Sequence, residues 1–359
     1  MIYLTMLICF ISSILLTPVV KKLAFKIGAT DKPNQRKVHQ KIMPRLGGLA
    51  IYISFVVGVF IYHPVSPFLL PNALKAIMLG SGIIIITGVL DDMYEISPKM
   101  KMLGQLVAAS IVIFYGGITV EFINLPFVED KLNFGFLSIP ITFLWIVGIT
   151  NAINLIDGLD GLAAGVSSIA LITLSIMAIL FGNPFVVVMA AILLASTVGF
   201  LFYNFHPAKI FMGDTGALFL GFMIAVLSLL GFKNVTLFTL IVPVIILGVP
   251  ISDTFFAILR RIVNKKPLSA PDKSHLHHCL LGHGFTHRQT VLIIYAMAAF
   301  FGLAAIIFSQ AKTLGSVALI VVLLIVIEIF AEKIGLVGKN YRPLLKIVSE
   351  IRYSTAKNR

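Results

Sequence analysis

FVVVMAAILLASTVGFLFY, residues 185–203, runs for 19 residues without a charged side chain. At 1.5 Å of rise per residue, a helix of that length matches the roughly 30 Å hydrocarbon core of a bilayer. Further apolar segments flank it at 2–20, 47–62, 73–90, 102–116, 139–155, 161–180, 216–230, 235–251, 290–308 and 314–330. The sequence therefore predicts an all-α, polytopic integral membrane protein with about 11 transmembrane helices. Composition agrees: 58% of the 359 residues are hydrophobic and only 12% are charged. A soluble domain carries about 25% charged residues, enough to cover its surface.

The net charge of +13 would suggest nucleic acid in a soluble chain. Here the positive residues fall in loops between apolar segments, which is the topological signature of cytoplasmic loops. Basic loops also attract anionic headgroups and phosphorylated substrates. The first long loop holds Lys21, Lys22, Lys26, Lys32, Arg36, Lys37, Lys41 and Arg45 against Asp31, which assigns it to the cytoplasm. Eleven spans then put the N-terminus outside and the C-terminus inside, with 331–359 as a basic cytoplasmic tail. The first segment has no basic stretch before it, and Lys21 and Lys22 follow it, so it reads as a retained helix. Cys9 and Cys279 do not suggest a disulfide framework. No internal repeat or linker divides the chain, and 1–359 reads as a single membrane domain.

Polar clusters interrupt this apolar background. Asp91-Asp92 follows a span directly, and adjacent carboxylates repel unless a cation or proton joins them. Asn151, Asn154 and Asp157 recur every three residues, which aligns them along one helix face. Gly158, Asp160 and Gly161 follow, with glycines that permit a sharp turn and close ligand approach. Helix capping accounts for one Asn or Gly but not for this density of amides and acids. Further on stand Asn204, His206, Phe211 and Asp214. Asp214 lies where a new helix begins, suiting both an N-cap and a Mg²⁺ ligand, and Phe211 is placed to stack on a base. The last cluster is His275, His277 and His278, with His283 and His287 beyond. Its cationic neighbours, Arg260, Arg261, Lys265, Lys266, Lys273 and Arg288, favour phosphate binding over a zinc site. No P-loop, dinucleotide fingerprint or Gly-x-Ser-x-Gly is present. Acids at helix ends beside basic loops suit phosphoryl transfer. Transport is disfavoured, because the ionisable residues avoid the middle of the spans.

In order and spacing, Asp91-Asp92, the Asn-x-x-Asn-x-x-Asp-Gly-x-Asp-Gly-Leu-Ala run, Phe-Met-Gly-Asp-x-Gly and the histidine cluster resemble the polyprenyl-phosphate N-acetylhexosamine-1-phosphate transferases. The resemblance spans residues 41–287. The His-Leu-His-His run is similar to the N-acetylglucosamine branch rather than the muramoyl-pentapeptide branch. It implies transfer of N-acetylglucosamine-1-phosphate from UDP-N-acetylglucosamine to undecaprenyl phosphate, releasing UMP. That would be the first membrane step of a surface glycopolymer such as teichoic acid. Another UDP-N-acetylhexosamine, or UDP-muramoyl-pentapeptide, is the alternative donor. The resemblance further implies Mg²⁺ (Mn²⁺ as alternative) on Asp214, with Asp91, Asp92 and Asp157 in catalytic positions. By the same resemblance, Lys41 contacts phosphate. Asn151, Asn154 and Asp160 line the nucleotide-sugar site, Asn204 and Phe211 hold uracil, and His275, His277 and His278 contact pyrophosphate or sugar. The implied location is a bacterial plasma membrane with the site facing the cytoplasm. The expected partners are the UDP-sugar, the polyprenyl phosphate, the membrane and, in a homodimer, a second copy; nucleic acid is not among them. The lipid tail is expected in an apolar groove near Asp91.

Overall fold

The computed structural model describes residues 1–31, 42–63, 72–120, 122–124, 131–231, 241–263, 265, 267, 274–336 and 341–346. Lys41 lies outside them, as do Lys266, Lys273 and residues 347–359 of the expected tail. The described chain is built from helices: α1 Ile2–Ile27, α2 Gly47–Tyr62, α3 Ala73–Tyr94, α4 Pro98–Ser110, α5 Ser138–Ile156, α6 Leu162–Leu180, α7 Pro184–Asn204, α8 Gly213–Gly231, α9 Ile241–Ile246, α10 Gly248–Val263, α11 Leu276–Gly282, α12 His287–Gln310 and α13 Thr313–Ile334. Two small antiparallel hairpins, not expected from sequence, join them. One pairs β1 Thr30–Asp31 with β2 Met43–Pro44, and the other pairs β3 Phe122–Asn124 with β4 Lys131–Asn133.

Among the described residues, eight helical segments are long and apolar enough to cross a membrane. α2 is apolar but shorter, at 16 residues. The segment expected at 102–116 runs through α4 and continues as a π-helix, Ile111–Tyr115. Where one span was expected at 235–251, the described part is two helices, α9 and α10, separated at Leu247. Local signals explain the helix starts. Ser97 accepts from Met100 N ahead of Pro98, Asn183 accepts from Val186 N ahead of Pro184, and Thr286 forms a capping box with Gln289.

α8 is the axis of the bundle. Its residues from Thr215 to Gly231 are all buried, and α2, α3, α5, α6 and α7 pack around it. The outer helices do the opposite. α1 exposes Leu4, Leu7, Ile11, Leu15 and Val19, and α13 exposes Val321, Val322, Leu324 and Ile325. Such stripes are costly in water and fit lipid tails.

Two glycines set how closely the inner helices meet. A Cβ on Gly48 of α2 would lie 2.0 Å from Gly216 N, and one on Gly88 of α3 would lie 2.4 Å from Thr215 Cα. The backbones of α2 and α3 therefore run directly against the first turn of α8, a small-residue contact common between membrane helices. This closeness brings the C-terminal end of α3 to the N-terminal end of α8.

Candidate active site

That junction gathers the acids. Asp92, buried on α3, accepts from Asp214 N at 2.9 Å, Thr215 N at 3.0 Å and Thr215 Oγ1 at 2.6 Å. It thus caps α8 from another helix, satisfying donors that a helix N-terminus leaves unpaired. Gly213 makes this possible, because its φ is 71° and a Cβ there would meet Asp92 Oδ2 at 2.4 Å. Asp91, Asp92 and Asp214 each bring a carboxylate oxygen within 4.8 Å of the others.

Two cations balance them. Arg45 arrives on the short stretch before α2, which is zipped to the chain before α8. Phe211 N donates to Pro44 O at 2.9 Å, and Gly47 N donates to Phe211 O at 3.0 Å. Its guanidinium bonds Asp92 Oδ1 at 3.1 Å and lies 3.8 Å from Asp214 Oδ1. Lys101, from the first turn of α4, bridges Asp214 at 2.6 Å and Asp91 at 2.9 Å. Burial alone would lower the Lys101 pKa, but Asp214 and Asp91 more than offset it and hold the ammonium charged. Glu95 lies on the rim, 3.7 Å from Arg45.

The end of α5 supplies the next groups. Asn154 Nδ2 donates to Asp214 Oδ2 at 3.4 Å. Asp157, the C-cap, is pushed up to about 8, first by burial and then by the charges of Asp214 and Asp92. Its carboxyl is thus largely protonated at pH 7 until a cation takes the proton's place. The three-residue spacing does not bring Asn151 to the acids. It exchanges hydrogen bonds with Gln105 of α4 at 2.6 and 3.3 Å, one turn deeper.

Other candidates are held by contacts within the frame. Asn204 is buried, accepts from Gly161 N at 3.1 Å and donates to Ile210 O at 3.1 Å, so both ends of its amide are occupied. It holds the turn after α5 against the chain before α8. Asp160 turns to His206 Nδ1 at 2.8 Å and Ala208 N at 3.1 Å. Phe211 is half-buried beside Arg45, in the zipped stretch leading to Asp214.

The histidines divide. His275, His277 and His278 belong to α11 and its N-cap, whereas His287 begins α12 and stacks on His206. Asp253, buried on α10, accepts from His275 Nδ1 at 3.0 Å and Leu276 N at 2.8 Å, fixing α11 in place. His277 is buried against Gly158, where a Cβ would meet its Nε2 at 2.2 Å. Burial, then His278, pushes the His277 imidazole down to about 3. It is therefore neutral at pH 7. His278 remains exposed. Because folding depresses the His277 pKa, its stability contribution is present above the unfolded value near 6.5. That contribution is lost as pH falls toward 3. Thermal unfolding followed by circular dichroism should show the midpoint falling on acidification below about pH 6.5, with a shallower fall in His277→Gln. The slope set by one such proton is about 1.4 kcal/mol per pH unit.

Comparison with known proteins matches the sequence to a family. The model of glycosyl transferase family 4 matches residues 74–232, the stretch from α3 to the end of α8 that carries Asp91, Asp92, Asn154, Asp157 and Asp214. A Bacillus subtilis (strain 168) protein named "Probable undecaprenyl-phosphate N-acetylglucosaminyl 1-phosphate transferase" is 50% identical, over 96% of this chain and 95% of its own length. The chain belongs to glycosyl transferase family 4. A Mycobacterium leprae (strain TN) decaprenyl-phosphate N-acetylglucosaminephosphotransferase is 34% identical, over 84% of this chain and 83% of its own. A phospho-N-acetylmuramoyl-pentapeptide-transferase of Halalkalibacterium halodurans is 31% identical, over 84% of this chain and 96% of its own. This family-4 chain is thus a glycosyl-1-phosphate transferase by its relatives.

Several residues of the site were not singled out from sequence. Arg45 stood in a loop rich in positives, and Lys101 is one of two lysines opening α4. Asp253 is a single acid inside an otherwise apolar and basic helix, and that isolation was the available signal.

Proposed function

We propose that the chain transfers N-acetylglucosamine-1-phosphate from UDP-N-acetylglucosamine to undecaprenyl phosphate at the cytoplasmic face of a bacterial plasma membrane. The 11-span arrangement with an external N-terminus is part of this reading. So is entry of the product into a wall glycopolymer such as teichoic acid. The observation that carries it is the convergence of Asp91, Asp92 and Asp214 with Arg45, Lys101 and Asn154 at one end of the bundle. The Bacillus subtilis relative's name supplies the donor sugar and the acceptor lipid.

A phosphate oxygen of the lipid forms a bond to the β-phosphorus of the donor. The bond from that phosphorus to the bridging oxygen breaks, and UMP leaves with the electron pair. The sugar–oxygen bond is untouched, so the anomeric configuration is retained. A phosphate monoester has its second pKa near 6 and arrives mostly ionised, so no strong base is required. Asp92 has both oxygens occupied by Arg45 and the α8 N-terminus, which makes it a positioning residue and a poor nucleophile. Asp91, held by Lys101, orients the incoming phosphate through that cation. Arg45 and Lys101 offset the charge of the diphosphate, and Asn154 donates to it or to Asp214.

An all-carboxylate oxygen set fits Mg²⁺, with Mn²⁺ as the alternative. Asp214 and Asp91 would hold it, and it would supply positive charge to offset that of the donor diphosphate. By the family resemblance, exposed His278 would contact the sugar or pyrophosphate and Lys41 would contact phosphate. By the same resemblance, Phe211 would stack on uracil.

A cavity of about 320 Å³ lies among α10, α12 and α13, lined by Phe256, Ile293, Ala296, Phe300, Ile327 and Phe330. Asp253 and Leu276 also line it, which ties it to α11 rather than to Asp91. We assign the isoprenoid chain to this cavity. Ala296→Trp should raise the KM for polyprenyl phosphate by about tenfold, equivalent to about 1.4 kcal/mol, and leave the KM for the UDP-sugar unchanged. Equal effects on both substrates would place the tail elsewhere.

The direct test uses purified protein in detergent with undecaprenyl phosphate, Mg²⁺ and radiolabelled UDP-N-acetylglucosamine. Lipid-extractable label and UMP should appear together and disappear with EDTA. Label transfer from another UDP-sugar alone would keep the chemistry and change the donor. Folded protein that transfers from none would end the reading.

A further inference from the structure

Asp160, His206 and His287 come from three separate segments: the turn after α5, the loop after α7 and the start of α12. One potential ligand atom from each lies within 4.8 Å of the others. His206 Nδ1 is 2.8 Å from Asp160 Oδ2, and the rings of His206 and His287 stack with centroids 4.1 Å apart. His287 Nε2 is buried and has no hydrogen-bond partner among the described residues. A buried imidazole nitrogen left unpaired is a cost that a native fold ordinarily avoids. Arg288 braces the same loop, donating to His206 O at 3.4 Å.

Two imidazoles and one carboxylate form the donor set favoured by zinc and its neighbours. It differs in kind from the carboxylate cluster around Asp214, whose hard oxygen donors suit Mg²⁺. We propose that Asp160, His206 and His287 form a second cation site, for a divalent transition metal of the zinc type. A metal there replaces the proton between His206 and Asp160 and gives the orphaned His287 nitrogen a partner. It also ties the N-terminus of α12 and the loop after α7 to the turn that carries Asp157. The run of histidines that invites a metal reading in the sequence is not where the ligands converge. His277 is packed on Gly158, and His275 is taken by Asp253.

The test is a titration of the full-length, chelator-treated protein in detergent with Co²⁺ and then Zn²⁺, without substrate. Its outcome is therefore independent of the transfer reaction. One equivalent of Co²⁺ should bind with the intense visible absorption of a low-coordinate nitrogen–oxygen site, and Zn²⁺ should displace it. Zn²⁺ should also raise the thermal midpoint. His287→Ala and His206→Ala should each weaken binding by at least about tenfold. His283→Ala, on an exposed histidine bonded to Cys279 O, should not. His287→Gln retains a neutral hydrogen-bonding side chain and should also lose the metal while keeping the metal-free midpoint, which separates ligand loss from misfolding. Absence of stoichiometric Co²⁺, or binding that survives His287→Gln but is lost with His277→Ala or His278→Ala, overturns the proposal.

Discussion

Asp214→Asn should lower kcat by about 10³-fold, the scale expected when a charged group that stabilises a phosphoryl transition state is removed. The site's own geometry makes this the most damaging side-chain change. Asp214 is the common point of Lys101 at 2.6 Å, Asn154 at 3.4 Å and Arg45 at 3.8 Å. Its carboxylate is only partly buried, unlike that of Asp92. The amide substitution keeps the size and the backbone N–H that bonds Asp92. The α8 N-terminus should therefore survive, and the thermal midpoint should stay close to wild type. Turnover with UDP-N-acetylglucosamine should also lose its dependence on Mg²⁺ concentration. A variant within tenfold of wild type would remove Asp214 from the centre of the reaction.

Gly88→Ala should be nearly as severe without touching a reacting group. The new Cβ would stand 2.4 Å from Thr215 Cα and 2.6 Å from Thr215 N, and the atoms in its way are backbone. No side-chain rotation relieves that contact, so α3 and α8 must separate. Overpacking of this kind costs about 1–3 kcal/mol. A displacement of about 1 Å in a positioned group is enough for about a hundredfold loss of rate. The group displaced is Asp214, with Asp92 losing its place as the cap. Gly82→Ala on the same helix is the control. Its Cβ would meet only Tyr52 Oη, at 3.6 Å, and Ala is the better helix former. The prediction is checked by thermal unfolding and kcat measured side by side. If Gly88→Ala matches Gly82→Ala, the close approach of α3 and α8 does not set the site.

The membrane architecture was legible because lipid imposes a simple rule on a chain: long apolar runs, with polarity confined to their ends. The acids of the junction were legible for the same reason, since Asp91-Asp92 and Asp214 stand out against such a background. Their division of labour was not. Nothing in the sequence distinguishes Asp91 from Asp92, whereas the structure gives one to Lys101 and the other to the backbone of α8. Helical spacing grouped Asn151 with Asn154, yet a partner on another helix, Gln105, decides where Asn151 points. The histidines were grouped by nearness in the chain and are regrouped by tertiary contacts with Asp253 and His206. The break at Leu247 was hidden because both halves are apolar on the side that packs.

The ammonium of Lys101 occupies the space between Asp91 and Asp214, where a divalent ion would be held. The chain in effect carries its own counterion. Helices threaded into a membrane can then close around three carboxylates without any added ion, and, on the proposed Mg²⁺ reading, a chelator should silence the protein without unmaking it. If Mg²⁺ binds there as proposed, its loading would exchange one cation for another. The same tethered charge, once freed, would then be at hand to meet the next phosphate that arrives.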